Sequence, residues 1–338
     1  METSVLAGND LPQELIRSWR DLLQRNPALR SPFFCPEFTQ AVASVRPDVR
    51  VGVVRDAAGE VQAIFPFHVG VRGAATPIGY PFSDCHGVIA SPHVSLDPPR
   101  LIRQCGLRSF DFCYLPAAQT SFQPFFEAWE EVPVLELSRF NHHGTSEQRR
   151  LRKLERRLGP TRFEPHVGDT ETLATLIEWK RFHCFRTGFV DLLEDDWIRE
   201  LLHVLLHTKT DHFAGRLSVL YAGDRMVAAH MGLRSKHVWH GWFPSYDPDA
   251  ARNSPGRLMF FLLFRHAKET GLDQFDFGAG QTDFKERYAN STIPVGQGFV
   301  SLSPLDRTVR NSRIIARRAI LRSPLERPLR TALRWLKT

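Results

Sequence analysis

Residues 253–288 read N-S-P-G-R-L-M-F-F-L-L-F-R-H-A-K-E-T-G-L-D-Q-F-D-F-G-A-G-Q-T-D-F-K-E-R-Y. The stretch divides into a helix start, a buried helix, and a short strand that opens into a glycine loop ending in a lysine. Ser254 is placed as an N-cap, Pro255 suits the first helical position, and Gly256 lets another group approach the first turn. With Asn253 before it and Arg257 beside it, this is a helix N-terminus suited to an anion. Leu258 to Phe264 is apolar all round, which predicts a helix buried on most faces, and Gly271 is placed to end it. The strand Gln274 to Phe277 then delivers Asp276 to the edge of Gly278-Ala279-Gly280, where the backbone can pass close to a bound molecule. Phe284-Lys285 closes the unit.

In order and spacing these residues resemble the second domain of the FemAB-like branch of GNAT-type acyltransferases, in the group that includes the cellulose-biosynthesis protein CelD and BioF2-like chains. The matching residues are Tyr246-Asp247, Ser254-Pro255-Gly256 with Leu258, Gly271, Asp276-Phe277-Gly278 with Gly280, and Phe284-Lys285. Phe284 stands where the family pattern has tyrosine, so a hydroxyl is missing there. The resemblance is strong over about 140–303 and looser before that. It implies an α/β fold with mixed sheets, arranged as two tandem GNAT-like domains. The expected division is 1–140 for the first domain, 141–160 for a basic linker helix, 161–303 for the acyltransferase domain and 304–338 for a basic amphipathic tail.

Length and composition agree with two domains. At 338 residues the chain exceeds one ordinary core, and 42% hydrophobic with 24% charged residues is the balance of a soluble globular protein. No apolar run approaches the roughly 20 residues that span a bilayer, and the N-terminus lacks the basic and apolar regions of a signal peptide, so a cytoplasmic protein is expected. The five cysteines form no CxxC pair, which suggests neither a disulfide framework nor a zinc cluster. The formal charge of +7 is unevenly placed: residues 307–338 hold ten Lys/Arg against the single acid Glu326. The rest is nearly neutral, which argues against a nucleic-acid-binding core. The tail, with Pro324 and Pro328 dividing two amphipathic pieces, suits an anionic inner-membrane surface, a nucleotide or a protein partner.

Along the first half, apolar spacing predicts a helix over 11–24 and a short helix after Pro36. A hairpin is expected from Val49–Arg55 and Val61–Val69, its second strand interrupted by Pro66, with further strands at 110–115 and 133–137. The loop from Gly79 to Gly87 carries Ser83-Asp84, comparable to a Ser-Asp-x-x-Gly loop in the resembled family; Asp84 either faces a ligand or caps backbone amides. Thr145-Ser146-Glu147-Gln148 has the capping-box pattern and opens a helix with six cations, which is either a solvated linker or a wall facing a phosphorylated substrate. Helices over 170–186 and 195–208 follow, then strands at 217–222, 226–233 and 236–243. His203 and His207 are spaced i, i+4 without the glutamate of a zinc helix, so packing or surface roles are expected. His230 lies in an apolar strand. Resemblance allows it or Trp239 to reach the acyl-donor cleft, whereas the residues alone suggest a core imidazole.

The sequence shows no Ser-His-acid order, cysteine nucleophile motif, metal cluster or Walker loop, which disfavours covalent, metal-assisted and phosphoryl-transfer chemistry. Direct acyl transfer needs a positioned thioester, an amine or hydroxyl held against it, and stabilisation of the tetrahedral intermediate. By resemblance, acetyl-CoA or another acyl-CoA is the donor, its phosphates held by Asn253, Ser254, Gly256 and Arg257, and no metal is needed. Lys285 stabilises developing charge or an acceptor phosphate; Asp276 orients the acceptor, takes its proton, or caps the glycine turn. Tyr246, Gly278, Gly280, Gln281, Phe284, His230 and Asp84 are the candidate substrate contacts. The expected acceptor is a sugar or sugar nucleotide in exopolysaccharide or cellulose production, with a polysaccharide synthase as possible partner. The other readings are a FemAB-type aminoacyltransferase using charged tRNA and a silent accessory subunit of such a synthase.

Overall fold

The structure is a computed structural model that describes residues 1–141, 146–280, 282–306, 308, 310 and 312. The first half begins with β1 (Glu2–Ala7), α1 (Gln13–Arg25), α2 (Pro36–Val45), β2 (Val49–Arg55) and β3 (Val61–Val69). It continues through β4 (Ala74–Pro77), β5 (Ile89–Ala90), α3 (Pro98–Gln104), β6 (Ser109–Pro116) and β7 (Phe126–Glu136). Pro66 does not interrupt β3. On one side β3 pairs β5 through residues 63–64 and β4 through 67–69, so Pro66, which lacks an N–H, falls in the gap between these two partners.

The second half runs α4 (Ser146–Leu158), β8 (Thr161–Glu164), α5 (Thr170–Thr187), α6 (Asp196–His207), β9 (Phe213–Ala222), β10 (Arg225–Ser235) and β11 (Val238–Tyr246). Then come α7 (Pro255–Glu269), β12 (Gln274–Asp276), α8 (Asp283–Tyr288) and β13 (Ser291–Ser301). The expected helices and meander strands are present, α5 ending at Gly188 in the left-handed conformation. Sequence periodicity did not single out β1, β8, α8 or β13, and β12 stops one residue earlier than expected. Thr145, the expected capping residue of α4, lies outside the described residues.

All strands belong to one sheet, in the order β1-β2-β3-β4-β6-β13-β7-β12-β11-β10-β9-β8, with β5 attached to β3. Read from either end, the order repeats: four strands, a parallel partner (β4 with β6, β11 with β12), then the last strand of the other half. The halves have therefore exchanged their final strands, β13 pairing with β6 and β7 with β12. Two glycines of β13 permit the seam, since a Cβ on Gly296 would lie 2.0 Å from the Phe126 ring and one on Gly298 2.0 Å from the Phe125 carbonyl oxygen. A shared core adds to this join: Phe33, Phe38 and Val42 of the first half pack with Leu205, Trp242 and Phe243 of the second. On the opposite face α7 is buried as its composition requires, with Leu258, Met259, Phe261, Leu263 and Phe264 all at most 1% exposed. Gly271, at φ +76°, ends it.

Candidate active site

Strands β11 and β12 run parallel for three residue pairs, Val238–Gln274 to His240–Asp276, and then part. β12 turns away at Gly278, whose φ is +71°, while β11 continues to Tyr246. Among the described residues no strand pairs with Gly241–Tyr246 on that side, so the edge presents backbone groups to whatever lies in the gap. A cavity of about 260 Å³ fills the place of the missing strand, with Lys180, Pro244, Tyr246, Gly256, Arg257 and Phe284 on its walls. Lys180 Nζ lies 3.5 Å from the Pro244 carbonyl oxygen, and burial pushes its pKa down.

The N-terminus of α7 borders this cavity, though not in the form expected. Ser254 is left-handed (φ 54°, ψ 48°) and its side chain caps nothing; it ends the preceding turn instead. Pro255 has no N–H, and the Ser254 side chain leaves the first-turn amides at Gly256 and Arg257 uncapped. Gly256 has no special φ. It is small because a Cβ would approach the Tyr246 ring to 3.1 Å. Arg257 is already engaged: its guanidinium pairs with Glu147 of α4, whose carboxylate also accepts a 2.7 Å hydrogen bond from the Tyr288 hydroxyl. Although partial burial alone would raise it, these partners hold the Glu147 pKa at about 2. Asn253 Oδ1 accepts from Arg157, and the α4 cations Arg149, Arg150, Arg152, Lys153, Arg156 and Arg157 are exposed. Leu154 is buried, so α4 is docked on α7 while its basic face stays open.

Next to the parting point sits a charge cluster that the sequence reading only partly named. His240, fully buried, has Nε2 3.1 Å from Asp84 Oδ2 and Nδ1 3.2 Å from Asp276 Oδ2. Burial alone would lower its pKa; the Asp276 and Asp84 carboxylates outweigh that and lift it to about 9, so the ring is an imidazolium at neutral pH. Asp276, despite burial, is held below the usual carboxylate range by His240, and its Oδ1 accepts from the Gly278 N–H at 2.8 Å. Of the roles weighed for Asp276, the cap of the glycine turn is present, and its other oxygen faces the charged His240. Gly278 must be glycine here, since a Cβ would meet Asp84 Oδ2 at 2.7 Å. Asp84 comes from the first half, and its loop is held by Trp242, whose indole N–H donates to the Phe82 carbonyl oxygen.

Lys285 is not a free surface cation. Its Nζ donates to the carbonyl oxygens of Gly278 (3.0 Å) and Ala279 (2.5 Å), and burial lowers its pKa. Gly280 N–H donates to Glu130 of β7, tying the same loop to the first half. Phe284 packs its ring 4.8 Å from Phe260 and 5.1 Å from Tyr288, an aromatic packing site with no call for a hydroxyl. His230 is wholly buried beside Phe260 and Phe275, with no hydrogen-bond partner on either ring nitrogen. Burial pushes its pKa down to about 3, so it is a neutral core imidazole. Trp239 is likewise packed in the core around α7. Gln281 lies outside the described residues. The structure thus brings Tyr246, Gly256, Arg257 and Phe284 to one cavity, and Asp84, Asp276, Gly278 and Lys285 to the adjoining loop. His240 and Lys180 joined them unnoticed. For His240, the available signal was its place two residues into β11, opposite Asp276 in the parallel register.

No group of three His, Cys, Asp or Glu placed to hold a metal ion occurs among the described residues, and all five cysteines are free thiols. Comparison with known proteins bears on the fold and on the reaction class. A family model described as an acetyltransferase (GNAT) domain matches residues 145–286. No curated protein matches the chain. Among solved structures, FemX is similar with a TM-score of 0.57 at 10% identity, covering 88% of this chain and 96% of that one. The C-terminal domain of a putative lysylphosphatidylglycerol synthetase from Agrobacterium fabrum has a TM-score of 0.54 at 14% identity, covering 90% and 96%. A tandem GNAT protein from the clavulanic acid biosynthesis pathway has 0.52 at 9% identity, covering 90% and 99%. At such identities these likenesses speak of fold, and they reproduce the two-half architecture. Residues 145–286 match a GNAT acetyltransferase domain, the protein is an acyltransferase, and its fold is shared with a tandem GNAT structure.

Proposed function

We propose that the protein transfers an acyl group, acetyl in the simplest case, directly from acyl-CoA to an amine or hydroxyl of a sugar or sugar nucleotide in exopolysaccharide or cellulose production, as its resemblance to CelD-like chains implies. The observation that carries the donor side is the parting of β11 from β12 beside the uncapped start of α7. The free β11 edge can hydrogen-bond an extended thioester arm, and the amides at Gly256 and Arg257 can meet phosphate oxygens. Because Glu147 neutralises Arg257, those amides and the open cations of α4 supply the rest of the attraction for the donor's phosphates. The acceptor's nitrogen or oxygen attacks the thioester carbonyl carbon and the C–S bond breaks. The thiolate leaves and takes up a proton, so no covalent enzyme intermediate is needed.

Titration calorimetry with acetyl-CoA tests this. Saturable binding by the full chain, weakened in Gly256→Val, supports the reading, and an absence of binding overturns it. The exposed basic face of α4 favours one second reading, an aminoacyl transfer from charged tRNA. In that case the calorimeter would register charged tRNA, with affinity falling steeply as salt rises, and not acetyl-CoA. A chain that binds neither, yet binds a polysaccharide synthase, would be an accessory subunit.

A further inference from the structure

A second cavity, about 270 Å³, lies at the seam between the halves. The first half contributes Arg30, Ser31 and Asp84 to its walls and the second contributes Gln274 and Asp276, with aliphatic side chains of β7, β11 and β13 between them. Ala118, on its wall, is exposed. The geometry points to this cavity as the acceptor site, and to an unphosphorylated sugar as its occupant. This inference rests on the acyl-transfer reading for the word acceptor; the binding claim stands apart from it.

Three observations carry it. First, the cavity is walled by Asp84 and Asp276, the two carboxylates that flank His240 at the parting of β11 and β12, so an occupant there adjoins the place where the donor edge begins. Second, its charge is wrong for a phosphate. Two carboxylates face it, with one imidazolium wedged between them and turned to both, and the lone lining cation, Arg30, is paired at 3.5 Å with Asp273. A diphosphate placed here meets two carboxylates on the wall and, among the described residues, no cation free to pair with it, since Lys285, the other cation near Asp84 and Asp276, donates to the Gly278 and Ala279 carbonyl oxygens. Third, the remaining wall is what a sugar ring uses. Aliphatic groups offer a surface for its C–H face, Asp84 and the Gln274 amide bond hydroxyls, and Ser31 Oγ is buried with only the weakly bonding Cys85 thiol beside it. Asp84 keeps 29% of its side chain exposed, whereas His240 and Asp276 behind it are buried, so Asp84 is the member that an acceptor hydroxyl or amine reaches.

The test needs no donor. Ring 1H–15N signals of the histidines are followed as glucose, glucosamine or UDP-glucose is added to the full chain, the His240 signal being the one missing in His240→Gln. The expected result is a saturable shift of the His240 signal with glucose or glucosamine and at least tenfold weaker binding of UDP-glucose. Asp84→Asn should weaken the sugar at least tenfold, and Ala118→Trp, at an exposed wall position, should abolish the shift. Equal or tighter binding of UDP-glucose, no shift with either sugar, or unchanged sugar binding in both variants would each overturn the proposal. Failure to bind acetyl-CoA, measured separately, would overturn the acyl-CoA reading and leave these outcomes legible.

Discussion

His240 binds its proton more tightly in the folded protein than in the unfolded chain, because Asp84 and Asp276 stand on either side of it. The stability it contributes is complete below the unfolded value of 6.5, declines as pH rises, and is gone above about 9. The shift corresponds to roughly 3 kcal/mol. Urea unfolding should therefore show wild type losing stability between pH 6 and 9.5 by about this amount, and His240→Gln losing much less. An identical slope in both proteins would mean that the imidazolium is not held as described. Lys285 acts at the same scale, by stapling the Gly278 and Ala279 carbonyls. Replacing it with methionine keeps the stem and removes two charge-assisted bonds, each worth about 1.5–3 kcal/mol locally. We expect acyl transfer to fall by about two orders of magnitude, since a misplacement of that loop on the scale of 1 Å is enough. Acetyl-CoA affinity should stay within a factor of two, and steady-state kinetics beside calorimetry would separate the two effects.

Between residues and the whole fold stand α7 and β13. Helix α7 is positioned by an apolar surface buried on nearly every side, so its N-terminus is a fixed feature against which a donor can bind. Gly256→Val forces a branched side chain against the Tyr246 ring at the cavity wall. Acetyl-CoA binding should weaken at least tenfold while the melting temperature changes little; an unchanged dissociation constant would move the donor elsewhere. Strand β13 depends on backbone proximity. Gly298→Ala places a Cβ on the Phe125 carbonyl oxygen, and relief of that contact should cost about 1–3 kcal/mol, read as a lower urea midpoint at unchanged m-value.

The exchange of final strands makes the two halves one folding unit at the scale of the molecule. A piece ending at residue 140 leaves β6 without β13, and a piece beginning at 141 leaves β12 without β7. Neither should give a dispersed NMR spectrum alone, and mixing the two should restore one; a well-folded isolated half would show that the exchange is dispensable. At the start of the tail, Arg310 pairs with Asp111 and Glu127 and lies 4.9 Å from the Phe299 ring centroid. The amphipathic pieces expected beyond it, residues 313–338, lie outside the described residues. Our proposal that the tail holds the protein on an anionic membrane surface is checked by vesicle sedimentation: the full chain should co-sediment in a salt-sensitive way and a chain ending at Pro304 should not. No helix among the described residues is long and apolar enough to cross a membrane.

The sequence alone was enough to place the long elements and the glycine punctuation. Leu258–Phe264 has no polar face and so must be a buried helix, the apolar strands at 49–55 and 61–69 flank a turn, and Gly188 and Gly271 end helices because glycine takes the left-handed conformation there without strain. Asp276, Gly278 and Lys285 were singled out through their resemblance to a family motif, and in the structure one local turn holds them together. The tertiary structure alone decided what depends on pairing between distant segments. β13 carries Pro294 and two glycines within it, a pattern that does not announce a strand, and it becomes one because β6 and β7 leave a gap that its backbone fills. His240 reads as one more residue of an apolar run until the parallel register sets Asp276 on one side and the chain's first half delivers Asp84 to the other. A buried charge acquires its state from partners 156 and 36 residues away, and no local pattern encodes that distance.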